Sequence, residues 1–480
     1  MNRKKNKIFV SGNFNILHPG HIRLLKFAKS LGKVLVVGVT SDKLAGKAAY
    51  IKQSHRINNI KNLDFVQKVI LVRSLKSTIL NEKPNIIVKG KEFRYQTNIE
   101  EELTKKINVE LVFSSGNINY SSENLLKNEL FENQIEFHLA KDFIKRKKIN
   151  IPKMINNINK IKKLRVCVVG DVIIDEYINS NVLGASNEEP CLVLNPISSE
   201  KYIGGAGIVA SHFSSLGAKT YLFSVTGKDQ NSRFIEKELK KNKVGFHLYK
   251  DIIRPTTLKQ RFKVRNSSLA RVSYLSEESI SIKVQNKIFN SIKKIIKKID
   301  VLVFSDFNYG CLPQNLVDRL IKICKENKVL ISADSQSSSQ IGDISRFKNT
   351  ELITPTEKEA RISLKSNNDG LVVLSTKLQR LSGSKNIIFT LNAEGILVFN
   401  MKNKKEYSVD RLPALNNNPK DVSGAGDSLL VMSTAFLALK SNIWEAALAG
   451  TLFASLQTST IGNRPIKLSE AKKLMKKLQK

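Results

Sequence analysis

The sequence is poor in the features that mark secreted, membrane-spanning or metal-clustered proteins. Its 480 residues include four cysteines, Cys167, Cys191, Cys311 and Cys324, widely spaced and without a CxxC or His-rich grouping. Neither a disulfide framework nor a structural zinc site is indicated, and buried free thiols are expected. No run approaches the roughly 18 consecutive apolar residues of a spanning helix. The start, MNRKKNKIFVSGNFN, passes into a short apolar strand without a signal-peptide core, so a protein of the cytoplasm with no membrane contact is expected. Acidic residues are also few: 42 Asp and Glu stand against 79 Lys and Arg, a net charge of +37. Such an excess raises nucleic acid as a partner. The lysines, however, are scattered along helix faces (ELKKNK, KKIIKKID, AKKLMKKLQK) and are not interleaved with aromatics that could stack on bases. Lys, Asn and Ile make up roughly a third of the chain, far above ordinary usage, as an AT-rich coding sequence would produce. The charge therefore argues for anionic small substrates over nucleic acid.

What is present is an ordinary folded composition, 41% hydrophobic and 25% charged, in a chain long enough for two or three domains. Short β-rich runs alternate with amphipathic ones: IFVSG, HIRLLKFAKSLG, KVLVVGVTS, a helical NLDFVQKV region, then PNIIVKG. This is the pattern of a parallel α/β sheet. After about Asn124 a polar, helix-like stretch intervenes before LRVCVVGD restarts the alternation through TYLFSVTG, VLVFSD, VLISAD and NIIFTL. The expected organisation is a first α/β domain over residues 1–130, a helical linker over 131–163 and a larger α/β domain over 164–480.

The first chemical motif is Gly12-Asn13-Phe14-Asn15-Ile16-Leu17-His18-Pro19-Gly20-His21, at a strand-to-helix turn. Backbone N–H groups and the helix dipole favour an anion there, and two imidazoles three residues apart can donate to phosphate oxygens. These residues resemble the cytidylyltransferase-like nucleotidyltransferases over residues 7 to about 128, a family with a Rossmann-like fold. Within it the sequence is most similar to the adenylyltransferase domain of bifunctional heptose enzymes, through NILHPGH, Ser54-His55-Arg56, PNIIVKG at 84–90 and Tyr120-Ser121-Ser122-Glu123-Asn124-Leu125-Leu126. The resemblance implies catalytic roles for His18 and His21, and nucleotide contacts from Gly12, Asn13, Phe14, Lys89, Ser121 and Ser122. Two positions depart from the family: Asn15 replaces an Asp, and Glu123 replaces a Ser or Thr.

The second motif is Asp421-Val422-Ser423-Gly424-Ala425-Gly426-Asp427-Ser428, followed by the apolar run LLVMSTAFLAL. Two glycines let consecutive N–H groups converge at a helix start, which suits charge building on a transferring phosphoryl group. Asp427 can take the proton of an attacking hydroxyl. Upstream, Gly204-Gly205-Ala206-Gly207 begins another helix and admits close backbone approach to a ligand. Together these segments resemble the ribokinase-like (PfkB) sugar kinases over residues 164–480. The resemblance implies Asp427 as base, Gly424, Ala425 and Gly426 as the anion hole, and Asp175, Gly204 and Gly205 as sugar contacts. Matches to the heptose 7-phosphate kinase branch are GDVIID at 170–175, Glu188-Glu189-Pro190, PTTLK at 255–259 and Ser305-Asp306. Lys259, Arg261 and Arg271 are the candidates for a phosphate already on the sugar, with Lys259 and Arg261 on one face of an alternating strand. Ile208 for Asn, Thr356 for the Asn of the N-x-x-E motif, and Gln336 for Lys are departures.

The resemblance implies a bifunctional enzyme of ADP-heptose and lipopolysaccharide formation. It would phosphorylate a heptose 7-phosphate at the anomeric hydroxyl and transfer AMP from ATP to heptose 1-phosphate, with the transferase domain first. Its partners would be sugar phosphates and ATP, and it would form a homo-oligomer. Mg²⁺ would arrive with ATP and be held by few side chains, Glu359 being the candidate. A CTP-using transferase for another sugar or polyol phosphate fused to a different sugar kinase, and a catalytically weakened scaffold, share the same motifs.

Overall fold

The computed structural model describes residues 7–17, 19–90, 103–104, 107, 109–113, 135–264, 267–337, 342–403 and 406–478. His18, Ser121 and Ser122 of the expected site, and the departure at Glu123, lie outside the described residues. The chain divides into two compact units, Met1–Gln134 and Ile135–Lys480.

The first unit holds strands β1 (Lys7–Gly12), β2 (Val34–Thr40), β3 (Lys68–Val72), β4 (Ile86–Lys89) and β5 (Glu110–Phe113). They form one parallel sheet in the order β3-β2-β1-β4-β5. The strands are apolar on both faces because both are packed: Ile8, Val10 and Val37 lie in one layer, Phe9, Val36 and Ile87 in the other. The strand order reverses between β1 and β4, and ligands of such sheets bind outside the strand ends at that point. The NLDFVQKV stretch, expected to be helical, is not. The helix is Gln53–Lys61, and the β-branched run that follows becomes β3.

The second unit adds β6 (Arg165–Gly170), β7 (Val172–Ala185), β8 (Leu192–Gly205), β9 (Lys219–Gly227), β10 (Gly245–Asp251), β11 (Leu258–Val264), β12 (Ser267–Tyr274), β13 (Val301–Asp306), β14 (Leu330–Ser335), β15 (Leu352–Ile353), β16 (Asn386–Thr390), β17 (Ile396–Met401) and β18 (Tyr407–Leu412). Nine of these strands form a sheet in the order β10-β9-β6-β13-β14-β15-β16-β17-β18, parallel as far as β16 and antiparallel beyond. The other four make a second sheet, β12-β11-β7-β8. Helix Ala425–Ala438 is apolar nearly all round and correspondingly buried. From residue 135 on, the stretch expected as a linker belongs to this unit's packing. Helices His138–Arg146 and Ile151–Lys160 bury Ala140, Phe143, Met154 and Ile158 in its core. Cys167, Cys311 and Cys324 are buried free thiols as expected, but Cys191 is exposed. It lies in the connection between β7 and β8, beyond any core. Among the described residues no helix is long and apolar enough to cross a membrane.

Candidate functional site

In the first unit the motif residues gather at the ends of β1 and β4, where the strand order reverses. Gly12 closes β1 against the ring of Phe14, which a Cβ would meet at 3.2 Å. Phe14 turns the chain with φ +47° and sets its ring edge-on to His21, centroids 5.0 Å apart. His21 Nδ1 lies 3.1 Å from the Ile16 carbonyl, so it carries the hydrogen and the tautomer is fixed. Arg56, fully buried, ties the turn together: Nη1 donates to Asn13 O (2.7 Å), Nε to Ile51 O (2.7 Å) and Nη2 to Asp42 Oδ1 (2.6 Å). That guanidinium holds the Asp42 carboxyl below its usual range. Thr40 donates to the Asn13 side chain, which is thereby oriented. Lys89 ends β4 beside β1. The departure at Asn15 has a local reason. Its Nδ2 donates to Ala48 O (2.8 Å) while its Oδ1 accepts from Tyr50 N (3.2 Å) and Ile51 N (3.3 Å). A carboxylate would set an acceptor against the Ala48 carbonyl, whereas the amide satisfies all three groups.

In the second unit a cavity of about 740 Å³ is lined by Asp175, Gly205, Lys259, Arg261, Arg271, Glu359 and the whole segment Gly424–Asp427. Gly204, although not part of the lining, packs beside it: a Cβ there would stand 2.5 Å from Asp175 Oδ2. The four-stranded sheet and a helix start supply different ends. Asp175 comes from β7, Lys259 and Arg261 from β11 and Arg271 from β12, while the nest lies at the start of helix Ala425–Ala438. Gly424 takes φ +76°, and a Cβ at Gly426 would meet nothing within 4 Å, so the helix start is unobstructed on that side, while the N–H of Ala425 donates to Val422 O at 3.3 Å. The loop before it is braced by Asp421, which accepts from Tyr177 Oη (2.8 Å), Ser423 N (3.0 Å) and Gly462 N (3.0 Å).

Asp427 is buried in the first turn of that helix, and burial followed by the charge of Asp175 pushes its pKa up to about 7, with Lys259 opposing. Gln336 stretches its amide between Asp427 Oδ1 (3.5 Å) and Asp334 Oδ2 (3.4 Å). Asp334 is itself raised, by burial first and then by Glu359 and Asp427. Lys259 Nζ sits 5.0 Å from the ring centres of both Phe307 and Tyr309. Those rings are held by Asp171, which accepts from Phe307 N (2.9 Å), Tyr309 N (3.3 Å) and Cys311 N (3.2 Å). Arg261 Nη2 reaches Asp175 Oδ1 at 3.3 Å. The departure at Thr356 keeps the local geometry, because threonine caps helix Glu357–Leu364 in a capping box with Glu359. Glu359 thereby accepts from Thr356 N (2.7 Å) and Ser337 N (3.0 Å). Ile208 is fully buried in helix Ala206–Ser215, part of the apolar core. Asp334, Thr354 and Asn463 also line the cavity and carried no motif in the sequence.

Comparison with known proteins agrees with this geometry. Residues 163–469 match the family model of the pfkB carbohydrate kinases. The chain belongs to the pfkB family. Ahead of the pfkB match, residues 9–146 match the cytidylyltransferase-like model, so the two signatures follow one another in the order their motifs have in the sequence. The chain is similar to the bifunctional protein HldE of a Nitratiruptor species, 29% identical over 321 residues, 66% of either chain. It is equally similar to that of Campylobacter curvus, 29% identical over 320 residues and again 66% of either. The match thus spans just under two thirds of the length of these relatives. Among solved structures, phosphofructokinase-2 from Escherichia coli in complex with potassium aligns with TM-score 0.55 and 16% identity, over 66% of this chain and 100% of that one. Ribokinase from Arabidopsis thaliana, complexed with ribose and ATP, aligns with TM-score 0.51 and 17% identity, over 65% of this chain and 99% of that one. At these identities the likeness is one of fold.

Proposed function

We propose that this chain is a bifunctional enzyme whose pfkB unit phosphorylates a heptose 7-phosphate at its anomeric hydroxyl and whose first unit joins heptose 1-phosphate to AMP from ATP, releasing pyrophosphate. The similarity to the HldE proteins supports the pairing of activities. The observation that carries the sugar is a pair of like charges. Arg261 and Arg271 stand directly opposite one another on β11 and β12, and both line the cavity. Opposed cations repel; Asp175 pairs with Nη2 of Arg261, but the buried Nε of Arg261 has no hydrogen-bond partner among the described residues. A phosphate on the far end of the sugar satisfies both.

In the pfkB unit Asp175 holds the sugar and Asp427 accepts the proton of the anomeric hydroxyl as its oxygen attacks the γ-phosphorus. The bond to the β–γ bridging oxygen breaks, ADP leaves, and the N–H groups of Gly424–Gly426 face the charge that develops. The carboxylates of Asp334 and Glu359 line the same cavity and give an all-oxygen set suited to Mg²⁺. When bound with ATP, that ion would neutralise phosphate charge. In the first unit Gly12, Asn13, Phe14, His18, His21, Lys89, Ser121 and Ser122 are proposed to receive the nucleotide. Location in the cytoplasm and assembly as a homo-oligomer belong to the same proposal. Exposed Leu183, Leu192, Ile197, Leu269 and Tyr274 on the four-stranded sheet support the second point.

The test is kinetic. Arg261→Ala should weaken binding of heptose 7-phosphate by about 1.5–3 kcal/mol, the range for hydrogen bonds to charged groups, while leaving the KM for ATP unchanged. Unphosphorylated heptose should be a poor substrate. Equal turnover of the free and phosphorylated sugar would count against the assignment.

A further inference from the structure

Asn463 is wedged between the two ends of the pfkB cavity. Its Nδ2 lies 3.4 Å from Asp175 Oδ2, the carboxylate proposed to hold the sugar. Its Oδ1 packs against the nest so closely that a Cβ on Gly424 would come within 2.0 Å of it. The residue is 6% exposed and lines the cavity. Donation to Asp175 fixes the amide orientation, because the reversed amide would set its oxygen against a carboxylate. The Oδ1 atom is left buried with no hydrogen-bond partner among the described residues. Leaving a buried acceptor unsatisfied costs free energy, so a donor supplied with the substrate recovers it.

We infer that Asn463 is a specificity-determining residue of the phosphorylation reaction: its Oδ1 accepts a hydrogen bond from the sugar hydroxyl adjacent to the one that reacts. The placement decides which hydroxyl. The reacting oxygen belongs beside Asp427, at the mouth of the nest, and Asp175 is near enough to raise the proton affinity of Asp427. An acceptor between Asp175 and Gly424 therefore meets the next position along the sugar. A substrate lacking that hydroxyl leaves the acceptor buried and unpaired, which is how a hydrogen-bonding site rejects an analogue.

The inference rests on the sugar-kinase reading, and its test separates the two. Full-length protein is assayed with heptose 7-phosphate and its 2-deoxy analogue, and with mannose 6-phosphate and its 2-deoxy analogue as a second pair. Wild type should prefer the parent sugar about tenfold in kcat/KM, the effect of one hydrogen bond. Asn463→Ala should raise the KM for the parent sugar about tenfold, leave the KM for ATP unchanged and remove the preference. A role confined to packing would lower turnover of parent and analogue alike, and that result overturns the inference. So does a wild-type enzyme indifferent to the 2-deoxy change, a measurement that needs no variant. Absence of turnover with both parent sugars overturns the sugar-kinase reading itself.

Discussion

A general base working near neutrality must hold its proton about as tightly as the solution does, and at Asp427, the proposed base, burial and a neighbouring carboxylate achieve this. With its pKa pushed up to about 7, Asp427 is competent only when ionised. The kcat for sugar phosphorylation should therefore fall about tenfold per unit as pH drops below about 7, read from a pH–rate profile. The neutral amide of Gln336 beside it supplies no cation to hold the proton off. Gln336→Lys should accordingly move the acid limb to lower pH, and an unmoved limb would show that this amide does not set the base. The same burial bears on stability. Asp427 binds its proton more tightly folded than unfolded, so its contribution is present below the unfolded value near 3.8 and is lost as pH rises through about 7. At pH 8 Asp427→Asn should then melt higher than wild type, by the equivalent of a few kcal/mol, although it no longer phosphorylates.

Among the elements, helix Ala206–Ser215 carries a residue that has no part in the chemistry. His212 is fully buried against Phe453, and its Nδ1 accepts from Ile466 N at 3.3 Å just before the last helix, Leu468–Lys477. Burial lowers its pKa to about 3. Because the unfolded imidazole protonates near 6.5 and the folded one does not, its contribution is intact above 6.5 and is lost as pH falls towards 3. Replacing it by Gln should flatten the fall in melting temperature between pH 6.5 and 4, a span worth on the order of 3 kcal/mol. An identical slope in the variant would place the acid sensitivity elsewhere. The same scale shows what the sequence discloses. The buried parallel strands are legible as unbroken apolar runs such as RVCVVG and VLVFSD, because helices cover both their faces. The long pairing of β7 with β8 is not, since the far end of β7 and most of β8 are exposed with apolar and polar residues mixed, and no alternation there sets its register. The site divides similarly: Asp427 and its glycines lie in one contiguous motif, whereas Asn463 and Asp334 reach the cavity only through tertiary packing.

At the scale of the whole molecule the His21 and Asp427 motifs fall in two units, each with its own hydrophobic clusters. Among the described residues, the side chains named above around Asp427 belong to the second unit and those named around His21 to the first. Effects on stability or rate at sites with no shared partner add independently, so each half should be separable by one substitution in the intact chain. Asp427→Asn should abolish phosphorylation of the sugar, while nucleotidyl transfer from ATP to a sugar 1-phosphate stays within about twofold of wild type. His21→Ala should do the reverse, because it removes the imidazole that Ile16 and Phe14 orient at the end of β1, proposed to receive the nucleotide. The pair of assays, sugar-dependent ADP release and sugar-1-phosphate-dependent pyrophosphate release, reads both outcomes from the same preparations. If either substitution silences both reactions while circular dichroism and melting temperature remain those of wild type, the sites are not self-contained and the chain acts as one catalytic machine.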